Sequence, residues 1–171
     1  MPHSVVGMEE PLPRPVAEAI QVGHALDMVA ELPPLTADER LPIAARVACA
    51  EAFFSNLRVL VEFLVLPPSS GRIHRHEYLP GWDPEDGQET VELRRLYGLA
   101  SENVSHLMKK RVPHDGEVVQ YVGTADLERA GTLANALVER FTDALRHEHR
   151  DDYALLFSGF VMSAEARVSA R

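Results

Sequence analysis

The residues of this chain best suited to chemistry lie close together in the segment NVSHLMKKR at 103–111. Asn103 and His106 fall near the edge of the apolar stripe of a predicted helix, where a side chain can be held by packing and still reach solvent. A histidine in that position can exchange a proton near neutral pH. The alternative is structural: His106 is hydrogen-bonded at the helix edge, and Lys109, Lys110 and Arg111 form a cationic last turn that the helix dipole favours.

A second set of polar residues lies within a long apolar segment, LPIAARVACAEAFFSNLRVLVEFLVL at 41–66. Four of them fall in one narrow line along a helix: Glu51, Ser55, Arg58 and Glu62. Arg58 and Glu62 have the i, i+4 spacing of an ion pair within one helix, but Arg58 could instead supply a cation to His106, oriented by Glu62. Asn56 stands apart from the line and is suited to a buried polar contact with Asn103.

Two motifs, NLRVLVEF at 56–63 and NVSHLMKKR at 103–111, resemble a bacterial branch of the HEPN superfamily of four-helix proteins. The resemblance covers about 36–145. It implies a helical bundle and, for the ribonucleases of the superfamily, metal-independent RNA cleavage by a histidine and an arginine that are duplicated across a dimer. Those enzymes carry the arginine five to seven residues before the histidine. This chain has Leu, Ala and Ser at 99–101, and its nearest upstream arginines are Arg94 and Arg95.

The long segment at 41–66 predicts one mostly buried central helix. Its apolar residues follow steps of four and three, which places them on one face as a core seam: Ile43, Val47, Ala50, Phe54, Leu57, Val61 and Leu64. Thr36 and Glu39 match a capping box, so the helix begins there. Alternatively it begins or restarts at Leu41, because Pro42 would lie deep inside a helix that starts at Thr36. It is expected to end before Pro67 and Pro68.

Three further helices are predicted around this one. The first starts at Pro15 and stops before Pro33 and Pro34, because a residue that precedes proline avoids helical angles. The third runs from Gln88 to Lys110, and the fourth begins with Thr124 as its cap. Between the last two, 118–122 is a short strand or an extended segment. The fold class is therefore all-α: an antiparallel four-helix bundle with a long central second helix and a short extra C-terminal helix.

Composition favours one domain, with a flexible N-terminal arm at 1–14, a bundle at 15–150 and a tail at 151–171. A connector at 67–87 is long for a compact domain, and Tyr78 and Trp82 are expected to anchor it. The net charge of −9 argues against sequence-independent binding to duplex DNA, although a small basic site is compatible with it. No span or signal peptide is evident, which predicts a cytoplasmic protein. Cys49 is expected to be an inert core residue.

These features lead to two hypotheses of different classes. The first is a HEPN-like bundle, a homodimer of the RNA-targeting or defence-associated kind, in which His106 handles protons and Arg58 or Arg111 contacts the phosphate. The second is a non-catalytic interaction module that dimerises or binds a protein partner, with the apolar tail at 155–161 as one candidate interface. No cofactor or metal is expected, since phosphate-loop motifs are absent and the paired histidines at 74–76 and 147–149 lack helical ligand spacing.

Overall fold

The computed structural model describes residues 13–84, 87–103 and 123–157, and only the backbone of 100–103. Four helices make up most of it: α1 (Arg14–Ala37), α2 (Ile43–Leu64), α3 (Gln88–Asn103) and α4 (Thr124–His147). A 3₁₀ turn, Arg75–Glu77, lies in the connector, and residues 151–157 form a further helix, α5. The prediction of an all-α bundle is confirmed, and the antiparallel order of its helices stays a prediction.

α2 is central to the bundle, because it packs against α1, α3 and α4. Its buried face begins at Phe53 and continues to the end of the helix, and Phe53, Leu57, Leu60 and Phe63 are at most 1% exposed. α1 covers one flank and also packs against α4, so the three longest helices share one core. The predicted seam is therefore correct for the second half of the helix.

The first half of α2 differs from the prediction. Ile43 and Val47, which were expected in the core seam, are 76% and 51% exposed. The helix begins at Ile43, with Pro42 before it, and the capping box predicted at Thr36 does not form. Thr36 instead lies in α1, where its hydroxyl donates to Pro33 O at 2.7 Å.

α1 continues through Pro33 and Pro34 to Ala37, so the prediction that it stops before them was wrong. A proline lacks the N–H that would donate four residues back, and this loss usually ends a helix. Here Leu32 and Pro33 are buried in the bundle, and that packing outweighs the local preference. Because Pro33 cannot donate, Val29 O receives no hydrogen bond from the residue four positions later. Gly131 of α4 lies directly against this carbonyl.

An aromatic cluster ties the connector and α5 to the helices. The Phe63 ring lies 5.5 Å from Phe141, 6.0 Å from Tyr78 and 5.7 Å from Phe157, measured between centroids. Trp82 meets the edge of Phe141 at 5.1 Å. The prediction that Tyr78 and Trp82 anchor the connector is confirmed.

The two ends of α4 are set by local hydrogen bonds. Gly123 is the N-cap, one residue before the predicted Thr124, and the Asp126 carboxylate accepts from the Gly123 N–H at 3.0 Å. At the other end His149 has a φ of 56°, while the Arg150 N–H donates to Leu145 O and the His149 N–H to Arg146 O. This is the Schellman arrangement, which usually places glycine at the left-handed position.

α5 is the short extra C-terminal helix that was predicted, and it belongs to the same core as the bundle. Ala154 and Phe157 are buried in the core, while Leu155 is 74% exposed. The rest of the predicted apolar tail, 158–161, lies outside the described residues, as do the N-terminal arm at 1–12 and the segment predicted as a strand at 118–122.

Candidate functional site

Glu62, near the end of α2, has three polar partners on one carboxylate oxygen: hydrogen bonds from Tyr97 and Arg58, and an ion pair with Arg72. The Tyr97 hydroxyl of α3 donates to Oε1 at 3.0 Å, and one guanidinium nitrogen from each of Arg58 and Arg72 lies 3.4 Å from it. The Glu62 side chain is 18% exposed, so the carboxylate is mostly withdrawn from water. Helix α2, helix α3 and the connector therefore meet at one negative charge. We call these four residues the Glu62 cluster.

Arg58 is held on two sides within this cluster. Its guanidinium pairs with Glu62 one turn later and lies over the Tyr97 ring, 5.8 Å from the centroid. Arginine is suited to such stacking because its guanidinium is planar and only weakly hydrated. The Arg58 side chain is 30% exposed, and the Arg72 side chain is 45% exposed. Two positive charges are thus fixed side by side at the surface of an acidic protein.

The structure brings together part of the predicted site. Arg58 and Glu62 form the expected ion pair within α2. Asn56 donates to Ala52 O of its own helix at 2.8 Å, so its amide is already engaged without Asn103. The side chain of Asn103 lies outside the described part of the chain, as do His106 and Arg111 entirely. Whether these residues face Arg58 stays a prediction.

Two members of the Glu62 cluster were missed as site residues. Arg72 lies in the connector, where no helical spacing relates it to Glu62. Tyr97 follows Leu93 by four residues in α3, on the apolar side of that helix, and a tyrosine there needs a partner for its hydroxyl. That requirement is the signal in the sequence that points to Tyr97, although it does not identify Glu62.

A second polar group is buried inside the connector around Arg75, which is 3% exposed. Its Nη1 donates to Leu66 O at 2.8 Å, its Nε donates to Trp82 O at 3.0 Å, and its Nη2 pairs with Asp83. Arg75 lowers the pKa of the Asp83 carboxyl by hydrogen bonding to it. One guanidinium thus joins the end of α2 to both halves of the connector.

His74, beside Arg75, is buried and 4% exposed. Its Nδ1 accepts the His76 N–H at 3.2 Å, so it carries no proton of its own. Its Nε2 lies 2.8 Å from Leu66 O, which can only accept, so Nε2 carries the ring proton. Arg75 Nη1 lies 3.0 Å from this nitrogen and donates to the same carbonyl oxygen, so the two donors converge on Leu66 O. Burial lowers the pKa of His74, which keeps the ring neutral.

Tyr78 fixes the other side of the connector to α1. Its hydroxyl donates to the Glu18 carboxylate at 2.7 Å, and Arg14 pairs with both Glu18 and Glu77. Burial, then the hydrogen bond to Glu18, raises the pKa of Tyr78. The backbone oxygen of Tyr78 accepts from Arg150 at 2.7 Å, just before α5. These contacts join the connector to α1 and to the start of α5.

The first two turns of α2 present an apolar surface. Ile43, Ala44, Val47 and Ala48 are all exposed, and their spacing of one and four residues places them on one face. We call these four residues the α2 face. Arg46 on the same helix donates to Thr36 O at 2.9 Å, which fixes this end of α2 against the end of α1.

In 13–84, 87–103 and 123–157 no three of the His, Cys, Asp or Glu side chains are grouped as metal ligands would be. No helix within these ranges combines the length and the apolar character needed to span a bilayer.

A scan of the chain against protein-family models found no match, and searches of curated proteins and of solved structures found none either. Membership of the HEPN superfamily therefore stays a prediction that rests on the two sequence motifs.

Proposed function

We propose that this protein is a non-catalytic helical interaction module that pairs with a second copy of itself through the α2 face. The observation that carries the proposal is the exposure of Ile43 and Val47, 76% and 51%, on a helix whose second half is the centre of the core. Single exposed apolar side chains are ordinary, but a contiguous apolar face on one helix is typical of an interaction surface.

Charge favours a second copy as the occupant of this surface. The chain carries a net charge of −9, so two copies repel each other over most approaches. The stretch 41–50, by contrast, contains no Asp or Glu and one arginine, Arg46. The α2 face is therefore a place where two copies can meet without bringing carboxylates together.

The shape of the face suits symmetric pairing. Ala44 and Ala48 have small side chains, which allow two helices to approach closely, while Ile43 and Val47 supply apolar area to bury. In a twofold dimer the same surface is used on both copies, so one helical face is sufficient for both sides of the interface. The resemblance to the HEPN superfamily, whose ribonucleases pair, points to the same assembly.

The test is the mass in solution of the wild type and of two matched variants, measured by light scattering across micromolar concentrations. Val47→Glu places a carboxylate in the α2 face and is expected to reduce the protein to single chains. Val91→Glu introduces the same charge on α3 at a valine that is 58% exposed, and should leave the dimer intact. Far-UV circular dichroism of each variant reports whether the helices are retained.

Two results would contradict the proposal. One is a wild type that remains a single chain throughout the concentration range. The other is a dimer that Val47→Glu and Val91→Glu weaken equally, since that would place the interface elsewhere. If Val47→Glu loses its helices, Ala48→Glu, at another exposed position of the α2 face, provides the same measurement.

A second candidate function is metal-independent ribonuclease activity with His106 in proton transfer and Arg58 or Arg111 on the phosphate. The observation in its favour is the pair of guanidinium groups of Arg58 and Arg72, held beside the same carboxylate and partly exposed. Such a local positive site can attract phosphate even on a protein that is acidic overall.

RNA incubated with the purified protein and excess chelator tests this second function. Cleavage that is lost in His106→Ala and reduced in Arg58→Ala supports it. Cleavage that persists in His106→Ala, or no cleavage by the wild type, removes the catalytic role. The dimer proposal does not depend on this result, so the two can fail separately.

A further inference from the structure

His74 holds the connector in place through both nitrogens of its ring. Nδ1 accepts the N–H of His76 and so caps the 3₁₀ turn Arg75–Glu77, while Nε2 donates to Leu66 O just beyond α2. The 3₁₀ turn in turn holds Trp82, because Arg75 and His76 both donate to the Trp82 carbonyl oxygen, each at 3.0 Å. The position of Trp82 thus depends on the turn that His74 caps.

Protonation of the ring is incompatible with these contacts. A proton added at Nδ1 would face the His76 N–H, which places two donors 3.2 Å apart. It would also create a second cation next to Arg75, whose Nη1 lies 3.0 Å from His74 Nε2. With only 4% of the residue exposed, water cannot solvate the new charge unless the segment moves.

The charged groups that face His74 do not offset this conflict. Among the described residues they are Arg75, His76 and Asp83, all from the connector, while the segment just after α2 contributes the neutral carbonyl of Leu66. Arg75 and a protonated His76 repel the new charge. Asp83 attracts it, but the Asp83 side chain is 65% exposed and already paired with Arg75.

We propose that His74 is an acid-sensitive latch, whose protonation releases the 3₁₀ turn and Trp82 from the bundle while α1, α2 and α4 stay folded. The helices also share core residues outside the aromatic cluster, and Val29, Leu57 and Leu137 are fully buried. Release would also free Arg72, which lies in the connector, from Glu62. Acid would therefore open the Glu62 cluster, and this inference does not rest on the proposed dimer.

The direction of the pH dependence follows from the pKa of His74. Burial lowers this pKa in the closed state below the ordinary value of 6.5, while the open state regains the ordinary value. The open state therefore binds more protons below pH 6.5, so the latch is fully effective above that pH and weakens as the pH falls towards the lowered pKa. In this range the opening constant rises about tenfold for each pH unit.

The chain provides its own reporter, because Trp82 is the only tryptophan. On acidification its emission should shift to longer wavelength while the far-UV circular dichroism of the helices stays constant. Hydrogen exchange gives the quantitative measurement. The protection factors of the His76 and Tyr78 amides, corrected for intrinsic exchange, should fall about tenfold per pH unit, and those of α1 and α4 should not.

Two variants separate the latch from general acid sensitivity. In His74→Asn the side-chain oxygen can still cap the turn but cannot titrate, so the fall in protection should disappear. His24→Asn removes an exposed histidine of α1 and should behave as the wild type. The inference is wrong if His74→Asn keeps the wild-type pH dependence, or if the connector and the helices lose protection together.

If the His74→Asn variant does not fold, a measurement on the wild-type protein still tests the latch. Nitrogen-15 spectra of the wild-type histidine rings should show His74 protonated at Nε2 alone at neutral pH, with a transition below pH 6.5. If His74 titrates at 6.5 or above while the His76 amide stays protected, the ring is not a latch.

Discussion

Replacement of Gly131 by alanine should not stabilise the protein, although alanine favours helices. A Cβ at this position would lie 2.8 Å from Val29 O of α1, a distance at which one backbone must move. The backbone of α1 cannot rotate away as a side chain could. Close contact between α1 and α4 at Gly131 therefore predicts an unfavourable effect where propensity alone predicts a favourable one.

The magnitude can be estimated by comparison with Gly98 of α3, where an added Cβ meets nothing within 4 Å. Alanine at 98 should gain about 1 kcal/mol in the free energy of unfolding from helix propensity. Alanine at 131 has the same gain but is opposed by about 1–3 kcal/mol of overpacking, which makes the net effect neutral to destabilising. The two variants should differ by about 2 kcal/mol, or roughly 4–8 °C in Tm for a chain of this size.

Thermal and urea unfolding of Gly98→Ala, Gly131→Ala and the wild type, followed by far-UV circular dichroism, measures this difference. Gly98→Ala should lie above the wild type and Gly131→Ala at or below it. Equal stabilisation by both substitutions would refute the close approach of α4 to Val29.

Three further changes test local contacts. His149→Gly should stabilise the protein by about 1 kcal/mol in urea unfolding, because glycine adopts the left-handed conformation without a steric cost; a loss of stability would contradict the Schellman end of α4. Arg75→Ala should cost about 2–4 kcal/mol and shift Trp82 emission to longer wavelength, while Asp83→Asn, at an exposed carboxylate, should change both far less. Tyr78→Phe should cost about 1–2 kcal/mol by removing the hydroxyl that donates to Glu18, and an unchanged urea midpoint would show that this bond contributes nothing.

The central helix and most of its core residues were predicted correctly, because they follow from hydrophobic periodicity. The steps of four and three in α2 correctly indicated a central helix and placed Phe54, Leu57, Val61 and Leu64 in the core. The same pattern misplaced Ile43 and Val47, because periodicity shows which residues share a face but not how far the neighbouring helices extend along it. Beyond the point where the neighbouring helices cover α2, its apolar face is exposed to solvent.

Local signals failed where tertiary packing decided the outcome. Pro33 and Pro34 marked a helix end, yet the burial of Leu32 and Pro33 holds α1 to Ala37. The Glu62 cluster was found only in part. The pairing of Arg58 with Glu62 follows from their i, i+4 spacing, but the contacts of Arg72 and Tyr97 join segments that are distant in the sequence. No spacing rule could have supplied those contacts.

The most direct test of the account is a mixing experiment on the α2 face. Val47→Glu and Val47→Lys should each be single chains of about 19.0 kDa, because like charges would meet across the twofold axis. Mixed in equal amounts, they should associate to twice that mass, because opposite charges then face each other. A mixture that keeps the mass of one chain, beside a wild type that pairs, would contradict the claim that this surface meets itself.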